Sequence, residues 1–259
     1  MPTSPVTVTW VGHSTNLIDV GGYRVITDPL LTRRVAHLRR RRELPAADTA
    51  VVDAALLSHI HLDHIHIPSL RKLRPSTAIV VPRNAGPLLR KAGFSDVTEV
   101  VEGDVLEVGP LRVEVVHAEH KHGRGPHTKL TAAPLGFIVD SDVSGAHGGH
   151  RVYYPGDTDL FDDMATFDDI DLALLPIWGW GSTLGTGHLD PGRAAQAAEL
   201  IEPRMVVPIH WGTYAPEDGR IRLPPWFTDA PDLFVEAMAA TGQSDLLRVL
   251  DPGQSITLP

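Results

Sequence analysis

Leu57-Ser58-His59-Ile60-His61-Leu62-Asp63-His64 follows directly after a short apolar run and carries the strongest signal in the chain. In an extended segment His59 and His61 point the same way, so both imidazoles can reach one ion. Asp63 and His64 come where the chain turns, and they can point at a second ion nearby. Four ligand-type side chains within six residues are costly to bury, because each loses its hydration. A metal ion offsets that cost, so the stretch predicts a metal site.

The composition limits how such a site can be built. The chain has 259 residues, a formal net charge of −9, 42% apolar and 21% charged residues, which is typical of globular proteins. It contains 14 His and no Cys, so imidazole and carboxylate must hold any metal. The same absence excludes disulfides, thiolate catalysis and cysteine-based zinc sites.

Charge and hydropathy also restrict partners and location. The acidic balance makes nucleic acid an unfavoured partner. No apolar stretch approaches the roughly 20 residues of a membrane-spanning helix, and the first residues lack the pattern of a secretory signal. We therefore expect no transmembrane segment and a cytoplasmic location, while no motif fixes the oligomeric state.

Short apolar runs separated by helical stretches run along the whole chain and predict an α/β fold. Gly21-Gly22 between two apolar runs predicts a tight hairpin. Asp190 is a favourable N-cap for a helix that starts at Pro191. A last helix is predicted over residues 231–240 and a final strand over residues 246–250. Two sheets with helices outside would bury such strands on both faces.

Four further motifs place polar, ligand-type residues beside apolar runs. They are Val11-Gly12-His13-Ser14-Thr15, Thr27-Asp28-Pro29, Tyr154-Pro155-Gly156-Asp157-Thr158 and Pro208-Ile209-His210-Trp211-Gly212-Thr213. Asp157 either projects a carboxylate into a cleft or serves as an ordinary turn residue. His210 ends an apolar run, where a core histidine is the alternative interpretation.

With these motifs in this order, the sequence resembles the metallo-β-lactamase fold family. The resemblance is to the branch with the N-acylphosphatidylethanolamine-hydrolysing phospholipase D enzymes and the ascorbate-phosphate lactonases. It spans roughly residues 6–214. It implies a four-layer αββα sandwich, with residues 1–259 forming a single domain.

The resemblance also implies two divalent ions, with zinc or manganese expected before iron. His59, His61 and a third histidine would hold the first ion, and Asp157 would bridge both. The second ion would be held by Asp63, His64 and His210. We count Asp63 among the catalytic residues as well as the ligands.

The third histidine of the first ion has several candidates. His117, His120 and His122 lie close together, and His127 follows. The family pattern favours His120, which leaves His122 and His127 facing substrate or solvent. Lys121 stands where the branch often carries an aromatic residue, so the lining of the pocket is expected to differ.

Three more residues are expected around the ions. Asp28 could accept a hydrogen bond from a metal-binding imidazole, or it could be a simple turn residue. His13 lies in a loop that the resemblance puts beside the ions, and a capping role is its alternative. His188 matches a histidine near the substrate in the phospholipase branch, where it could donate a proton or bind a phosphate oxygen.

The expected reaction is hydrolysis by a hydroxide shared between the two ions, with a phosphodiester, a lactone or a related ester as substrate. The substrate would be a small or lipid-derived molecule. No G-x-S-x-G nucleophile motif is present. A nuclease of the same fold and a non-catalytic metal-binding regulator are the rival hypotheses.

Two other features bear on the substrate. Residues 33–42 contain six Arg, which either attract phosphate or an anionic surface, or form a solvated, mobile loop. Trp178, Trp180 and Trp211 either form an aromatic wall beside the site or fill the core between the sheets.

Overall fold

The structure, a computed structural model, describes residues 5–45, 48–125, 128–144, 148–178, 186–216 and 225–258. Its strands are β1 (Val6–Gly12), β2 (Thr15–Val20), β3 (Tyr23–Thr27), β4 (Arg34–Val35), β5 (Leu38–Arg40), β6 (Ala54–Leu56), β7 (Ala78–Pro82), β8 (Val97–Val100), β9 (Val105–Val108), β10 (Leu111–His117), β11 (Leu135–Asp140), β12 (Arg151–Tyr154), β13 (Leu172–Pro176), β14 (Met205–Ile209), β15 (Tyr214–Pro216) and β16 (Ser255–Thr257). Its α-helices are α1 (Ile67–Leu70), α2 (Gly86–Lys91), α3 (Pro191–Ile201) and α4 (Pro225–Ala240).

The strands form two large sheets and one small one. The first sheet has seven strands in the order β16-β1-β2-β3-β6-β7-β8, and the second has six in the order β14-β13-β12-β11-β10-β9. The hairpin predicted at Gly21-Gly22 is confirmed, because β2 and β3 pair antiparallel with Val20 opposite Tyr23. A three-stranded sheet, β15-β5-β4, lies apart from the two large ones.

Buried side chains on both faces of each large sheet make the layers. In β6, Ala54 and Leu56 face the core between the sheets, while Ala55 packs with side chains of α1 and α2 on the outside. Successive strand residues point to opposite faces, so this alternation needs a covered layer on each side. The second sheet is covered by α3 and α4, whose buried side chains join the central core. The predicted four-layer αββα sandwich is confirmed.

The start of α3 follows its sequence signal. The Asp190 carboxylate accepts a hydrogen bond from the backbone N–H of Arg193 at 2.9 Å, and Pro191 occupies the first turn. This cap satisfies a backbone donor that the helix itself cannot pair. Helix α4 contains the predicted residues 231–240 but begins earlier, at Pro225.

Polar pairs lie at the end of the second sheet where β11 ends and β12 begins. The Arg151 guanidinium donates to Glu114 at 2.9 Å and lies 3.4 Å from Asp140, which is fully buried. Burial raises the pKa of Glu114, but the charges of Arg151 and Arg112 lower it further, so the net shift is downward.

Two local predictions were wrong. Residues 246–250 do not form the final strand, because Leu247 makes only one isolated parallel bridge, to Val206 of β14, and the half-buried leucines pack against the central core. The last strand is β16, whose Thr257 pairs with Thr7 at the sheet edge. The arginine-rich residues 33–42 do not form a plain loop, because β4 and β5 pair there as a hairpin.

Candidate metal centre

The candidate residues follow strands that end at one edge of the sandwich. Strands β3 and β6 run parallel in the first sheet, and β12, β13 and β14 run parallel in the second. Three non-glycine residues just beyond strand ends have left-handed backbone angles, with φ of 55° at His13, 31° at Asp28 and 63° at His210. Such strained positions concentrate at functional sites.

One group consists of three imidazoles. Nε2 of His59 lies 2.9 Å from Nδ1 of His61, and Nε2 of His120 lies 3.1 Å from the same atom. Burial lowers the pKa of His59 well below its usual range and that of His61 to about 4. The rings are therefore neutral at physiological pH, which is the form that binds a metal.

A second group lies beside the first and includes a carboxylate. Ligand atoms of His13, Asp63, His64 and His210 lie within 4.8 Å of one another. Nε2 of His13 lies 2.9 Å from Oδ2 of Asp63, and the His13 and His210 ring centroids are 4.0 Å apart. Burial, followed by the charge of His210, lowers the pKa of His13 to about 4.

Asp157 stands between the two groups. Its Oδ1 lies 3.1 Å from Nε2 of His210, and its Oδ2 lies 3.4 Å from Nε2 of His64. It also forms a third cluster with His120 and His188, with ligand atoms within 4.8 Å. One carboxylate thus faces members of both groups.

Hydrogen bonds on the far side of three rings fix which nitrogen faces inward. His64 donates Nδ1–H to Oδ2 of Asp28 at 2.6 Å. His120 donates Nδ1–H to the Gly187 carbonyl, and His210 donates Nδ1–H to the Trp178 carbonyl. With Nδ1–H used in this way, a neutral ring directs the lone pair of Nε2 into the site, and a bound metal would take the place of any second proton on the ring.

Asp28 is fully buried and anchors several groups at once. Its Oδ1 accepts the backbone N–H of Ser58 at 2.8 Å. Its Oδ2 accepts the Tyr154 hydroxyl at 2.5 Å and the Ser58 hydroxyl, in addition to His64. The aspartate therefore links strand β12 to the histidine-rich turn, which comprises residues 58–64.

The electrostatics of the site favour a cation. Burial lowers the pKa of His64, but Asp157, Asp63 and Asp28 raise it further, to well above its usual range. Burial raises the pKa of Asp63 and of Asp157, but the neighbouring histidines bring both well below the usual range. The carboxylates stay ionised, and their negative charge draws positive charge to this point.

Orphaned polar atoms show that a metal fits these residues. Nε2 of His64, Nε2 of His210 and Oδ1 of Asp157 are buried and make no hydrogen bond. Nε2 of His210 and Oδ1 of Asp157 lie 3.1 Å apart without a hydrogen bond between them, an arrangement that two ligands of one cation would adopt. The nitrogen and oxygen donors suit zinc, manganese or iron.

His188 lies at the rim of this site. Its Nε2 is 4.0 Å from Oδ2 of Asp157, its ring centroid is 4.6 Å from that of His120, and its Nδ1 is buried without a partner. Burial lowers the pKa of His188 to about 4. The side chain precedes the start of α3, where backbone N–H groups favour anions.

Comparisons with known proteins identify the family of this chain. A family model described as a beta-lactamase superfamily domain matches residues 23–211. A UPF0173 metal-dependent hydrolase of Thermococcus onnurineus is 33% identical over 215 residues, covering 82% of this chain and 87% of the relative. Another, from Cupriavidus taiwanensis, is 30% identical over 269 residues, covering 96% and 85%. The chain belongs to the UPF0173 metal-dependent hydrolase family of the beta-lactamase superfamily.

A solved structure supports the fold of this UPF0173 family member. Igni18, a metallo hydrolase of Ignicoccus hospitalis, superimposes with a TM-score of 0.73 at 23% identity and covers 99% of both chains. None of the helices among the described residues is long and apolar enough to cross a membrane.

The other sequence candidates that the structure describes do not belong to these ligand clusters. His117 is 38% exposed and pairs with Glu102 at 3.1 Å, and His122 is exposed. Trp211 packs on Trp10 with ring centroids 5.0 Å apart, so it fills the core. His127 and Trp180 lie outside the described residues.

Three residues that support the site were missed in the sequence. Ser58 and Tyr154 hold Asp28, as described above. Arg124 donates to the carbonyls of Ile60 at 2.6 Å and Ile65 at 3.1 Å, so it clamps the histidine-rich turn. The only hint of this role is its position shortly after His120, in a Gly-Arg-Gly turn.

Proposed function

We propose that this UPF0173 family member is a binuclear metal-dependent hydrolase. His59, His61 and His120 would hold one divalent ion, and Asp63, His64 and His210 the other. Asp157 would bridge the two ions. The observation that carries the proposal is that Nε2 of His210 and Oδ1 of Asp157 are buried and 3.1 Å apart, yet form no hydrogen bond.

The chemistry needs both the ions and the residues that hold them. When bound, a pair of divalent ions lowers the pKa of water towards neutrality and polarises the substrate. Asp28 fixes the His64 tautomer, and His13 orients the Asp63 carboxylate through their 2.9 Å contact. Such supporting hydrogen bonds tune a metal site nearly as strongly as the ligands themselves.

The proposed substrate is a phosphodiester, a lactone or a related ester. Support comes from the resemblance of the sequence motifs to those of the phospholipase and lactonase branch and from His188 at the rim. We propose that His188 donates a hydrogen bond to the departing oxygen or to an anionic oxygen of the substrate. Its position 4.0 Å from Asp157 puts it next to the proposed reacting centre.

A panel of chromogenic substrates tests this function. Purified protein loaded with Zn²⁺ or Mn²⁺ is expected to hydrolyse bis(p-nitrophenyl) phosphate or a nitrophenyl ester or lactone, and chelation should abolish turnover. Asp157→Asn should lose activity by at least about 100-fold, because ligand changes disrupt metal catalysis. His117→Ala is the matched control, since it removes an exposed imidazole outside the centre.

The same panel separates the rival hypotheses. Metal binding without turnover on any substrate would favour a non-catalytic metal-binding regulator. Turnover that persists in chelator or in Asp157→Asn would contradict the proposed site. Cleavage of nucleic acid in preference to small diesters would favour the nuclease.

A further inference from the structure

A cavity of about 530 Å³ lies beside the β4–β5 hairpin, and none of the candidate metal ligands lines it. Its walls include Arg33, Arg39, Arg41, Arg42 and Lys72. We propose that this cavity binds two or more phosphate groups, presented either by one small molecule or by neighbouring lipid headgroups. The proposal is independent of the hydrolase activity.

The charge of the cavity differs from that of the whole chain. The net formal charge of the protein is −9, yet the described residues that line the cavity include five arginines, one lysine and one carboxylate, Glu43. Cations gathered in a concave surface focus the electrostatic potential and attract anions. A ligand with several negative charges would complement this excess.

The arginine-rich segment is organised in advance of binding. Strand β5 pairs with β4 on one side and with β15 on the other. Arg40 is only 8% exposed, and its Nη2 donates to the Val11 carbonyl at 2.5 Å. The Tyr214 hydroxyl donates to the Thr32 carbonyl at 2.6 Å, which holds Thr32 in place as part of the cavity wall. A preorganised site loses less conformational entropy when a ligand binds.

Two cations of the cavity are oriented by neutral backbone groups. Lys72 donates to the Leu31 carbonyl at 2.6 Å, and Arg41 donates to the Pro216 carbonyl. These bonds to neutral carbonyls hold the two side chains without using their charge. Arg42 pairs with Asp251 at 2.7 Å, so its charge is partly compensated.

The size and chemistry of the cavity indicate the ligand class. A volume of about 530 Å³ falls within the range of small-molecule sites. Guanidinium groups bind phosphate oxygens in pairs, and several of them together favour phosphate over a single carboxylate. The phosphates can belong to a dissolved molecule or to lipid headgroups.

Titration calorimetry with inorganic pyrophosphate tests the site. The double variant Arg33→Gln/Arg39→Gln should bind pyrophosphate at least about tenfold more weakly than wild type, since hydrogen bonds between charged groups are the stronger kind. Arg83→Gln/Lys91→Gln is the control, because it removes the same charge from exposed positions outside the cavity. Flotation with phosphatidylglycerol vesicles, compared with phosphatidylcholine, separates the two sources of phosphate.

Each outcome of these binding experiments either supports the proposed phosphate site or overturns it. Loss of pyrophosphate or phosphatidylglycerol binding in the cavity variant, with retention in the control, supports the proposal and identifies the source. Equal loss in both double variants would reduce the effect to overall charge and overturn it. Binding that survives in the cavity variant but is lost in His59→Ala would assign the anion to the metal centre, which also overturns it. No binding of either probe to the wild type has the same consequence.

Discussion

Replacing Asp28 tests how far the residues behind the ligands determine metal binding. Asp28→Asn keeps the shape of the side chain but removes its charge and one acceptor oxygen. The Oδ2 atom accepts from His64 at 2.6 Å and from Tyr154 at 2.5 Å. In the variant, either the amide N–H₂ meets these donors or the backbone N–H of Ser58 loses its acceptor.

The magnitude follows from these contacts. Changing a residue that orients a metal ligand typically weakens metal affinity about 10–100-fold. Leaving one buried donor unpaired costs about 1–3 kcal/mol of unfolding free energy. Asp28→Ala would strand three buried donors, the side chains of His64 and Tyr154 and the backbone N–H of Ser58, which adds up to about 3–9 kcal/mol. That loss is comparable to the whole stability of a domain, so the asparagine variant is the more informative one.

Competition titration with a chromophoric chelator measures the affinity of each ion. We expect the ion at Asp63, His64 and His210 to weaken by the factor given above and the ion at the three-histidine group to change less. Asp19→Asn serves as control, because Asp19 lies on the β2–β3 hairpin and pairs with Arg24. Thermal unfolding without metal checks that the variant folds. Unchanged affinity for both ions in a folded variant would refute the role of Asp28.

Three further changes probe other parts of the molecule. At Gly156 φ is 66°, and an added Cβ would lie 2.3 Å from Cβ of Ser58. Gly156→Ala should therefore lower the melting temperature far more than Gly103→Ala, since φ is also positive at Gly103 but the space around it is open. Equal effects of the two substitutions would point to backbone strain alone. His188→Ala should keep its metal content yet lose about 10²–10³-fold in kcat, as for a lost hydrogen-bond donor to a charged oxygen, whereas loss of an ion would make it a ligand. The pKa of Glu114 is lower in the folded state than its unfolded value of about 4.5. The ionised carboxylate therefore stabilises the fold at pH values above about 4.5, and this stabilisation is lost as the pH falls through the folded pKa. Urea unfolding of Glu114→Gln should therefore depend less on pH below about 4.5 than that of wild type, and an equal dependence would exclude this group.

Much of the fold could be predicted because its signals are local. The Gly21-Gly22 hairpin and the Asp190 cap each depend on residues next to one another in sequence. Strand β16 could not be predicted, because three residues at a sheet edge give too short a pattern. Its position depends on pairing with β1, far away along the chain.

In the candidate site, too, only the residues with a local sequence signal could be predicted. His59, His61, Asp63 and His64 stand out because they share one short stretch. His120 could not be separated from its neighbours by spacing alone, since its selection depends on where β10 ends relative to the other sheet. The hydrogen bond from Tyr154 to Asp28 joins residues 126 positions apart, so no local pattern reveals it. Likewise, the basic cavity arises only when the 33–42 segment folds as a hairpin.

Metal content at saturation tests the central claim most directly. Protein reconstituted with Zn²⁺ or Mn²⁺ and freed of excess ion is measured by elemental analysis against its concentration. The assignment of His59, His61 and His120 to one ion and of Asp63, His64 and His210 to another predicts two ions per chain. A plateau at one ion per chain, or none, would contradict the binuclear site.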